Sequence, residues 1–461
     1  MLRTRTDMNK VTTMLRTSHW RCRFILISIL ALWSWASVAA DTPAADDLYC
    51  GNYQIAADHF LGVDRFIMDD GTPALLLSDY SSGVVRRLFR TAGDHFVMGA
   101  GFNQASPVEL SVDFVKDEHG QVQSASLRYA DESKKVARRV PQDAITVSFS
   151  SKDAKLAGTL ITPASKGPHP GIILLHGSGP LTRYSFGPYP HFFAALGFAV
   201  LVYDKRGTGK SEGIRLDAST GPVDGVGFYP EALIEDAAAA LRFLQSQPQV
   251  DRKQIGFWGS SEGGMLSLQL AARSKDIAFA VNSSGFVGPL WEPIRFQIPN
   301  VLRNNGASED EIRQQVALID LWQHAASTGN GWQHFQEEKT KLAAKNISFF
   351  QAYRQHTGSL DEARWDWEHI LSFDSSIALK HVHCPVLGLF GELDPLTNVS
   401  VTAARMQRIL ATGEQHDFLV KVFPNAGHSL AEMPSHARMA PGVFETLRSW
   451  LRDHVDLPKP Q

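Results

Sequence analysis

Residues 255–273 have the sequence IGFWGSSEGGMLSLQLAAR. Ile255–Trp258 is a short apolar run that predicts a buried strand, and Met265–Arg273 predicts a helix. Between them, Gly259–Gly263 matches the pattern G-x-S-x-G with Ser261 at its centre. A strand, a sharp turn and a helix form the context in which such a serine is an exposed nucleophile; a glycine-rich turn with a solvated serine is the alternative. We therefore predict that Ser261 is a nucleophile at the end of a strand.

Other short apolar runs lie on both sides of this segment. They are residues 171–175, 198–203, 278–282, 386–390 and 418–423. Helical segments separate several of them, for example Glu231–Leu244, whose apolar residues form one stripe. Buried strands that alternate with helices predict an α/β fold, with a mostly parallel sheet covered by helices on both faces.

A nucleophilic serine needs a general base, and the base needs an acid that orients it. Asp394 follows the apolar run 386–390, and His428 follows the run 418–423. Because Ser261 also comes directly after a predicted strand, all three side chains should meet at one edge of a parallel sheet. We predict that Ser261, Asp394 and His428 form a catalytic triad. Glu392, two residues before Asp394, is the alternative acid.

The segment LLHGSGP, residues 174–180, predicts the remaining part of the site. Acyl transfer builds negative charge on a carbonyl oxygen, and backbone N–H groups stabilise that charge in an oxyanion hole. One predicted donor is the N–H of Glu262, which follows the nucleophile. The other is the N–H of Ser178, in the loop after an early strand, with Gly177 as the neighbouring alternative. His176 is expected to hold this loop rather than to take part in catalysis.

These motifs together resemble the α/β-hydrolase superfamily, and the sequence looks closest to bacterial esterases related to serine-aminopeptidase-like hydrolases. The motifs, in the order typical of that family, are His176–Pro180, Tyr203–Ser211, Gly259–Gly263, Gly391–Asp394 and Gly427-His428. They lie within about residues 145–451. The resemblance implies an acyl-enzyme mechanism without a metal or another cofactor. One departure is Ser260, where many relatives carry histidine.

The first 40 residues have the three-part pattern of a secretory signal peptide. Six basic residues come first, residues 24–38 carry no charge, and Val38-Ala39-Ala40 supplies the small residues that a signal peptidase recognises. We expect cleavage near Ala40 and a secreted or periplasmic protein with no stable membrane insertion afterwards. An uncleaved membrane anchor is the alternative.

Residues 41–142 are predicted to form a small β-rich accessory domain. Val108–Phe114 alternates apolar and polar residues, 117–120 has the composition of a turn, and Val122–Tyr129 resumes the extended pattern. These features predict antiparallel strands with one buried and one wet face. The domain either packs against the rest of the chain and shapes the rim of the site, or recruits a polymer or a surface.

Residues 143–461 are predicted to form the hydrolase domain, with a helical insertion at about 289–372. Ser308–Glu311 is a capping box, which marks the start of a helix, and a second helical segment follows around Phe335–Tyr353. The insertion lies between two predicted strands on the side where open α/β sheets bind ligands. We therefore expect it to cap the site; a peripheral helical decoration is the alternative.

Charge and motif spacing argue against several other classes of function. The net charge of −3, with no basic block after the first 25 residues, argues against a nucleic-acid partner. No H-E-x-x-H or paired C-x-x-C occurs, so no metal site is predicted. Asp204–Ser211 has too short a spacing for a phosphate-binding loop. Cys50 and Cys384 could pair in an oxidising compartment, but we expect Cys384 to be a buried thiol.

The leading hypothesis is a secreted serine hydrolase that cleaves small-molecule carboxylic esters through an acyl-enzyme on Ser261. A peptidase that uses the same triad is the first alternative, and thioester hydrolysis is another. A binding protein that has lost activity on the same fold belongs to a different class. The sequence indicates no particular oligomeric state.

Overall fold

A computed structural model describes residues 46–216, 229–345 and 355–458. The predicted signal peptide, residues 1–40, lies outside these ranges. A short 3-10 helix, Asp47–Tyr49, begins the described chain. Eight strands in residues 46–216 then form a closed barrel in sequential order. They are β1 (Gly51–Ala56), β2 (His59–Ile67), β3 (Pro73–Asp79), β4 (Val85–Ala92), β5 (His95–Gly99), β6 (Val108–Lys116), β7 (Val122–Tyr129) and β8 (Lys134–Arg139).

The barrel confirms the predicted antiparallel β domain. The sequence did not predict that these strands close into a barrel. Every neighbouring pair is antiparallel, and β1 closes on β8 through Tyr53 opposite Arg139. One face of each strand points inward, where aromatic side chains such as Tyr49, Phe96 and Phe114 pack together. Closure pairs the edge strands, so the domain exposes no sheet edge for aggregation. The filled interior explains why one side of each strand is apolar.

The second unit is built around an eight-stranded sheet within the described residues. Its strands are β9 (Gln142–Ser151), β10 (Ala154–Pro163), β11 (His169–Leu175), β12 (Ala199–Tyr203), β13 (Val250–Ser260), β14 (Ala280–Ser283), β15 (Val386–Gly391) and β16 (Phe418–Phe423). The order across the sheet is β16-β15-β14-β13-β11-β12-β10-β9. The β9–β10 and β10–β12 pairs are antiparallel and the others are parallel, which confirms the mostly parallel sheet.

Helices cover this sheet on both faces. In the described ranges they are α1 (Tyr189–Ala195), α2 (Glu231–Gln245), α3 (Glu262–Arg273), α4 (Trp291–Asn304), α5 (Glu309–Thr328), α6 (Trp332–Ala344), α7 (Leu360–Asp366), a π-helical turn (Trp367–Leu371), α8 (Ser376–Leu379), α9 (Val399–Thr412) and α10 (Val443–His454). Helix α2 buries its predicted stripe, including Leu233, Ala237 and Leu244. None of the helices placed by the structure is long and apolar enough to cross a membrane.

The apolar run 418–423 forms a strand, but the expectation that it is buried on both faces is wrong. Strand β16 lies at the edge of the sheet, next to β15 alone. Leu419 and Val422 are 40% and 41% exposed, and Phe423 is buried. At the edge of the sheet the covering layers are incomplete, so two of its five apolar side chains are exposed and only Phe423 is fully buried.

The insertion between β14 and β15 is helical, as predicted. Ser308 accepts a hydrogen bond from the Glu311 N–H while the Glu311 carboxylate accepts one from the Ser308 N–H, so the capping box begins α5. Helix α5 buries Ile319 and Trp322 in the interior of the cap. The second helical segment begins at Trp332 and ends at Ala344; residues 346–353 of the predicted segment lie outside the described chain.

The barrel packs directly onto the hydrolase unit. His191 Nδ1, in α1, lies 2.6 Å from Asp64 Oδ1, in β2, and both side chains are buried. Tyr80 of the barrel belongs to the core of the hydrolase unit. The Met439 N–H donates to the Gly83 carbonyl at 2.7 Å, which ties the β3–β4 turn to the chain segment after His428. This buried junction favours packing over surface recruitment as the role of the barrel.

Candidate active site

Ser261 lies on a sharp turn between β13 and α3. Its backbone has φ 54° and ψ −117°, in the left-handed half of φ space that non-glycine residues rarely adopt. A Cβ on Gly259 would lie 2.0 Å from the Gly263 carbonyl oxygen, and one on Gly263 would lie 2.2 Å from the Leu175 carbonyl oxygen. Only glycine fits at either position, so the G-x-S-x-G spacing is a steric requirement of this turn. Such strain is typical of functional sites.

The parallel strands end together at the sheet edge where Ser261 lies. Ser260 pairs with Ser283 of β14, which in turn pairs with Leu389 of β15. The Ser261 N–H donates to the Ser283 carbonyl at 2.8 Å. Asp394 follows β15 and His428 follows β16, as the sequence predicts, so the loops that carry them leave the sheet at this same edge.

His428 is paired with Asp394. Its Nδ1 lies 2.7 Å from Asp394 Oδ2, and the Asp394 side chain is fully buried while that of His428 is 20% exposed. Asp394 Oδ1 also accepts hydrogen bonds from the N–H groups of Leu396 and Thr397, at 2.8 and 3.1 Å. A carboxylate only accepts, so Nδ1 carries the proton and Nε2 has a free lone pair.

The alternative acid, Glu392, points elsewhere. It is exposed, and its Oε2 accepts a hydrogen bond from the Asn425 N–H at 3.2 Å. In the part of the chain that the structure describes, it makes no hydrogen bond or ion pair with His428. Ser261 Oγ and His428 are likewise not hydrogen-bonded to each other within the described ranges; catalytic hydrogen bonds are often long before substrate binds.

The loop after β11 lies against the nucleophile. A Cβ on Gly177 would be 3.4 Å from the Ser261 Cβ, and Ser178 Oγ lies 3.4 Å from Glu262 Oε2. The structure therefore brings the two predicted oxyanion segments together beside Ser261. His176 is buried, and this burial lowers its pKa to about 3. The neutral ring donates from Nε2 to the Thr182 carbonyl at 3.2 Å, so His176 holds the loop as expected.

Buried ion pairs behind the loop were not predicted from the sequence. Lys205 Nζ lies 2.5 Å from Glu262 Oε1, and Arg206 pairs with Asp236 at 2.7 Å. Arg183 pairs with Asp204 at 2.7 Å, and although burial opposes ionisation, these hydrogen bonds hold the pKa of Asp204 below its usual value. The run Asp204-Lys205-Arg206 was visible in the sequence. Its partners were not, because they lie on distant elements.

The cap adjoins the loop that carries the predicted acid. Asn300 of α4 donates from Nδ2 to the Pro395 carbonyl at 3.3 Å. Glu292, at the start of α4, pairs with Arg405 of α9 at 2.7 Å. The insertion therefore contacts the loop that carries Asp394. Within the described residues, no group of three or more His, Cys, Asp or Glu side chains could hold a metal ion.

Residues 172–439, more than half of the chain, match the model of the alpha/beta hydrolase family. Three curated relatives share about 30% identity with parts of the chain. The quorum-quenching protein AidA of Acinetobacter baumannii is 30% identical over 33% of this chain and 47% of its own length. The thiohydrolase aneE of Aspergillus aculeatus is 31% identical over 38% of this chain and 49% of its own. The esterase EstD of Thermotoga maritima is 30% identical over 36% of this chain and 39% of its own length. The chain thus spans half or less of the length of these relatives.

Proposed function

The chain belongs to the alpha/beta hydrolase family, and from that premise we propose that it is an exported serine hydrolase that cleaves carboxylic esters of small molecules. The observation that carries the proposal is the strained Ser261 at the sheet edge from which the paired His428 and Asp394 also project. A serine at φ 54° is a strained conformation, and strain of this kind clusters at functional sites.

In the proposed mechanism, Ser261 Oγ attacks the ester carbonyl while His428 Nε2 takes its proton. Asp394 stabilises the imidazolium through Nδ1 and fixes the tautomer that leaves Nε2 unprotonated. The N–H groups of Glu262 and Ser178 stabilise the negative charge on the tetrahedral oxygen. The imidazolium then protonates the leaving alcohol, and water releases the acyl group from Ser261 by the same steps in reverse.

Thioester hydrolysis is the second candidate, because one similar protein is a thiohydrolase. The same nucleophile serves both substrates. A thiolate leaves more readily than an alkoxide and depends less on protonation by His428, so the two activities respond differently to a weakened base. Amide hydrolysis makes the strongest demand on that proton and is the third candidate. The proposal of export rests on the signal-peptide pattern of residues 1–40.

A substrate panel on the mature protein tests the proposal. It pairs p-nitrophenyl esters of increasing acyl length with the corresponding thioesters and with aminoacyl p-nitroanilides. We expect the highest kcat/KM on esters, and a loss on the order of 10⁴-fold in kcat for Ser261→Ala while the protein stays folded. Higher kcat/KM on thioesters or anilides would reassign the substrate class. A Ser261→Ala variant that keeps a tenth of the activity would show that another residue is the nucleophile.

A further inference from the structure

Lys205 contacts both segments that form the proposed oxyanion hole. Its Nζ lies 2.5 Å from Glu262 Oε1 and 3.0 Å from the Gly177 carbonyl oxygen. Glu262 carries one of the proposed N–H donors, and Gly177 directly precedes Ser178, which carries the other. The side chains of Lys205 and Glu262 are 6% and 2% exposed. A single buried ammonium group therefore bridges the two segments.

A buried ion pair is expensive to maintain. Removing two charges from water costs several kcal/mol per ion, and apolar residues of similar volume are often as stable or more so. The pair therefore calls for an explanation other than stability. The loop after β11 and the first turn of α3 also touch directly. Gly263 packs so close to the end of β11 that a Cβ on it would lie 2.2 Å from the Leu175 carbonyl oxygen, and the Ser178 hydroxyl lies 3.4 Å from Glu262 Oε2. Lys205 adds a charged, hydrogen-bonded link between the Glu262 side chain and the Gly177 carbonyl.

Stabilisation of the oxyanion depends on the distance between the two backbone N–H groups that donate to it. Each N–H must lie about 2.7–3.1 Å from the oxyanion, and losing one donor costs about 10²–10³-fold in kcat. A shift of about 1 Å in a positioned group can cost about 10²-fold. The ammonium of Lys205 fixes the distance between the Glu262 side chain and the Gly177 carbonyl. Because the Gly177 carbonyl belongs to the same planar peptide group as the Ser178 N–H, this contact constrains the N–H groups of both Glu262 and Ser178.

We propose that Lys205 is a positioning residue that sets the geometry of the oxyanion hole by clamping the Glu262 and Gly177 segments together. This inference rests on the proposed function, since it assigns a role within the same site. Lys205 does not contact the substrate in this proposal. Its charge is balanced by Glu262, so it acts through position rather than by adding net positive charge.

The test compares Lys205→Met with the double variant Lys205→Met/Glu262→Met. The single variant leaves Glu262 buried without its cation and should lower the thermal unfolding midpoint. The double variant removes both charges and should recover most of that loss. If the clamp positions the donors, both variants should show about a 100-fold fall in kcat on the best ester, with KM changed less than threefold. Binding of a trifluoromethyl ketone, which mimics the tetrahedral intermediate, should weaken by the same factor.

A neighbouring pair supplies the matched control. Arg206 and Asp236 are as deeply buried and also lie behind the site, and Arg206 has a second, partly exposed partner in Asp153 at 3.4 Å. In the described chain, neither member of the pair has a hydrogen bond or ion pair to an oxyanion segment. The variant Arg206→Met/Asp236→Met should keep kcat and the trifluoromethyl ketone affinity within about threefold of wild type. An equal loss in this control would show that any buried pair near the site has the same effect, and would overturn the proposal.

Two results separate the failure of this inference from the failure of the proposed function. If the wild-type protein hydrolyses esters and Ser261→Ala does not, but Lys205→Met/Glu262→Met keeps kcat and ketone affinity within threefold, the clamp is a structural ion pair and only the inference is wrong. If the wild-type protein neither hydrolyses an ester, thioester or anilide nor binds the ketone, the proposed function is wrong and the inference falls with it.

Discussion

Replacing Asp394 with asparagine changes one atom in the site and should abolish most of the activity. Asp394 Oδ1 accepts two backbone hydrogen bonds, from Leu396 and Thr397. An asparagine must keep its carbonyl oxygen there, because its NH₂ group cannot accept a hydrogen bond from those two N–H donors. Its NH₂ group then takes the place of Oδ2, 2.7 Å from His428 Nδ1.

That NH₂ group can only donate, so Nδ1 has to accept. The ring proton moves to Nε2, and His428 can no longer take the proton from Ser261. A wrong tautomer of this kind costs on the order of 10⁴-fold in kcat, or about 5 kcal/mol of transition-state stabilisation. The folded state should survive, since both backbone hydrogen bonds to residue 394 remain.

The matched control is Glu392→Gln, two residues away on the same loop. Glu392 is exposed and contacts the Asn425 N–H instead of His428, so we expect a loss of less than about tenfold. The assay measures kcat for both variants on one p-nitrophenyl ester, with thermal unfolding to confirm folding. A large loss for Glu392→Gln together with a small loss for Asp394→Asn would refute the assignment of the acid.

Three further predictions concern the cap, the oxyanion loop and the barrel. Trp322 is fully buried in the cap, so Trp322→Ala should lower the free energy of unfolding by about 3–5 kcal/mol in denaturant titrations; unchanged stability with an altered acyl-length preference would place this side chain against the substrate. Burial lowers the pKa of His176 to about 3, so the unfolded state binds the extra proton first as pH falls below about 6.5, and stability is lost on the acid side. Between pH 7 and pH 5, His176→Gln should therefore lose about 2 kcal/mol less than wild type in urea titrations; equal losses would mean that another group governs acid sensitivity. Tyr80 packs between Phe192 and Phe444 at the barrel junction, so Tyr80→Ala should lower one shared calorimetric transition; two separate transitions in the wild type would show that the units are independent.

Much of the fold could be predicted because its strands are short apolar runs and its nucleophile turn has a steric signature. Closure of the barrel could not, since it depends on the pairing of β1 with β8, which are far apart in the sequence. The position of β16 at the edge of the sheet could not be predicted from the sequence either. Its apolar composition matches that of a central strand, and only the order of strands in the sheet shows that Leu419 and Val422 are exposed.

The pairing of His428 with Asp394 was predictable because both follow strands that end at the sheet edge of Ser261. The ion pairs behind the site were not. Lys205 lies in a recognisable motif, but its partner Glu262 stands next to the nucleophile, where the pattern leaves the residue type free. A sequence motif records which residues are present, whereas a buried pair depends on which distant elements the fold brings together.

Labelling with a fluorophosphonate tests the central claim most directly, because this reagent reacts with an activated serine regardless of the natural substrate. The mature protein is treated with the probe, digested and examined by peptide mass spectrometry, with Ser261→Ala and heat-denatured wild type as controls. We predict a single adduct on Ser261 in the folded wild type, and none in either control. An unlabelled wild-type protein, or an adduct that persists in Ser261→Ala, would contradict the account of this chain as a serine hydrolase that acts through Ser261.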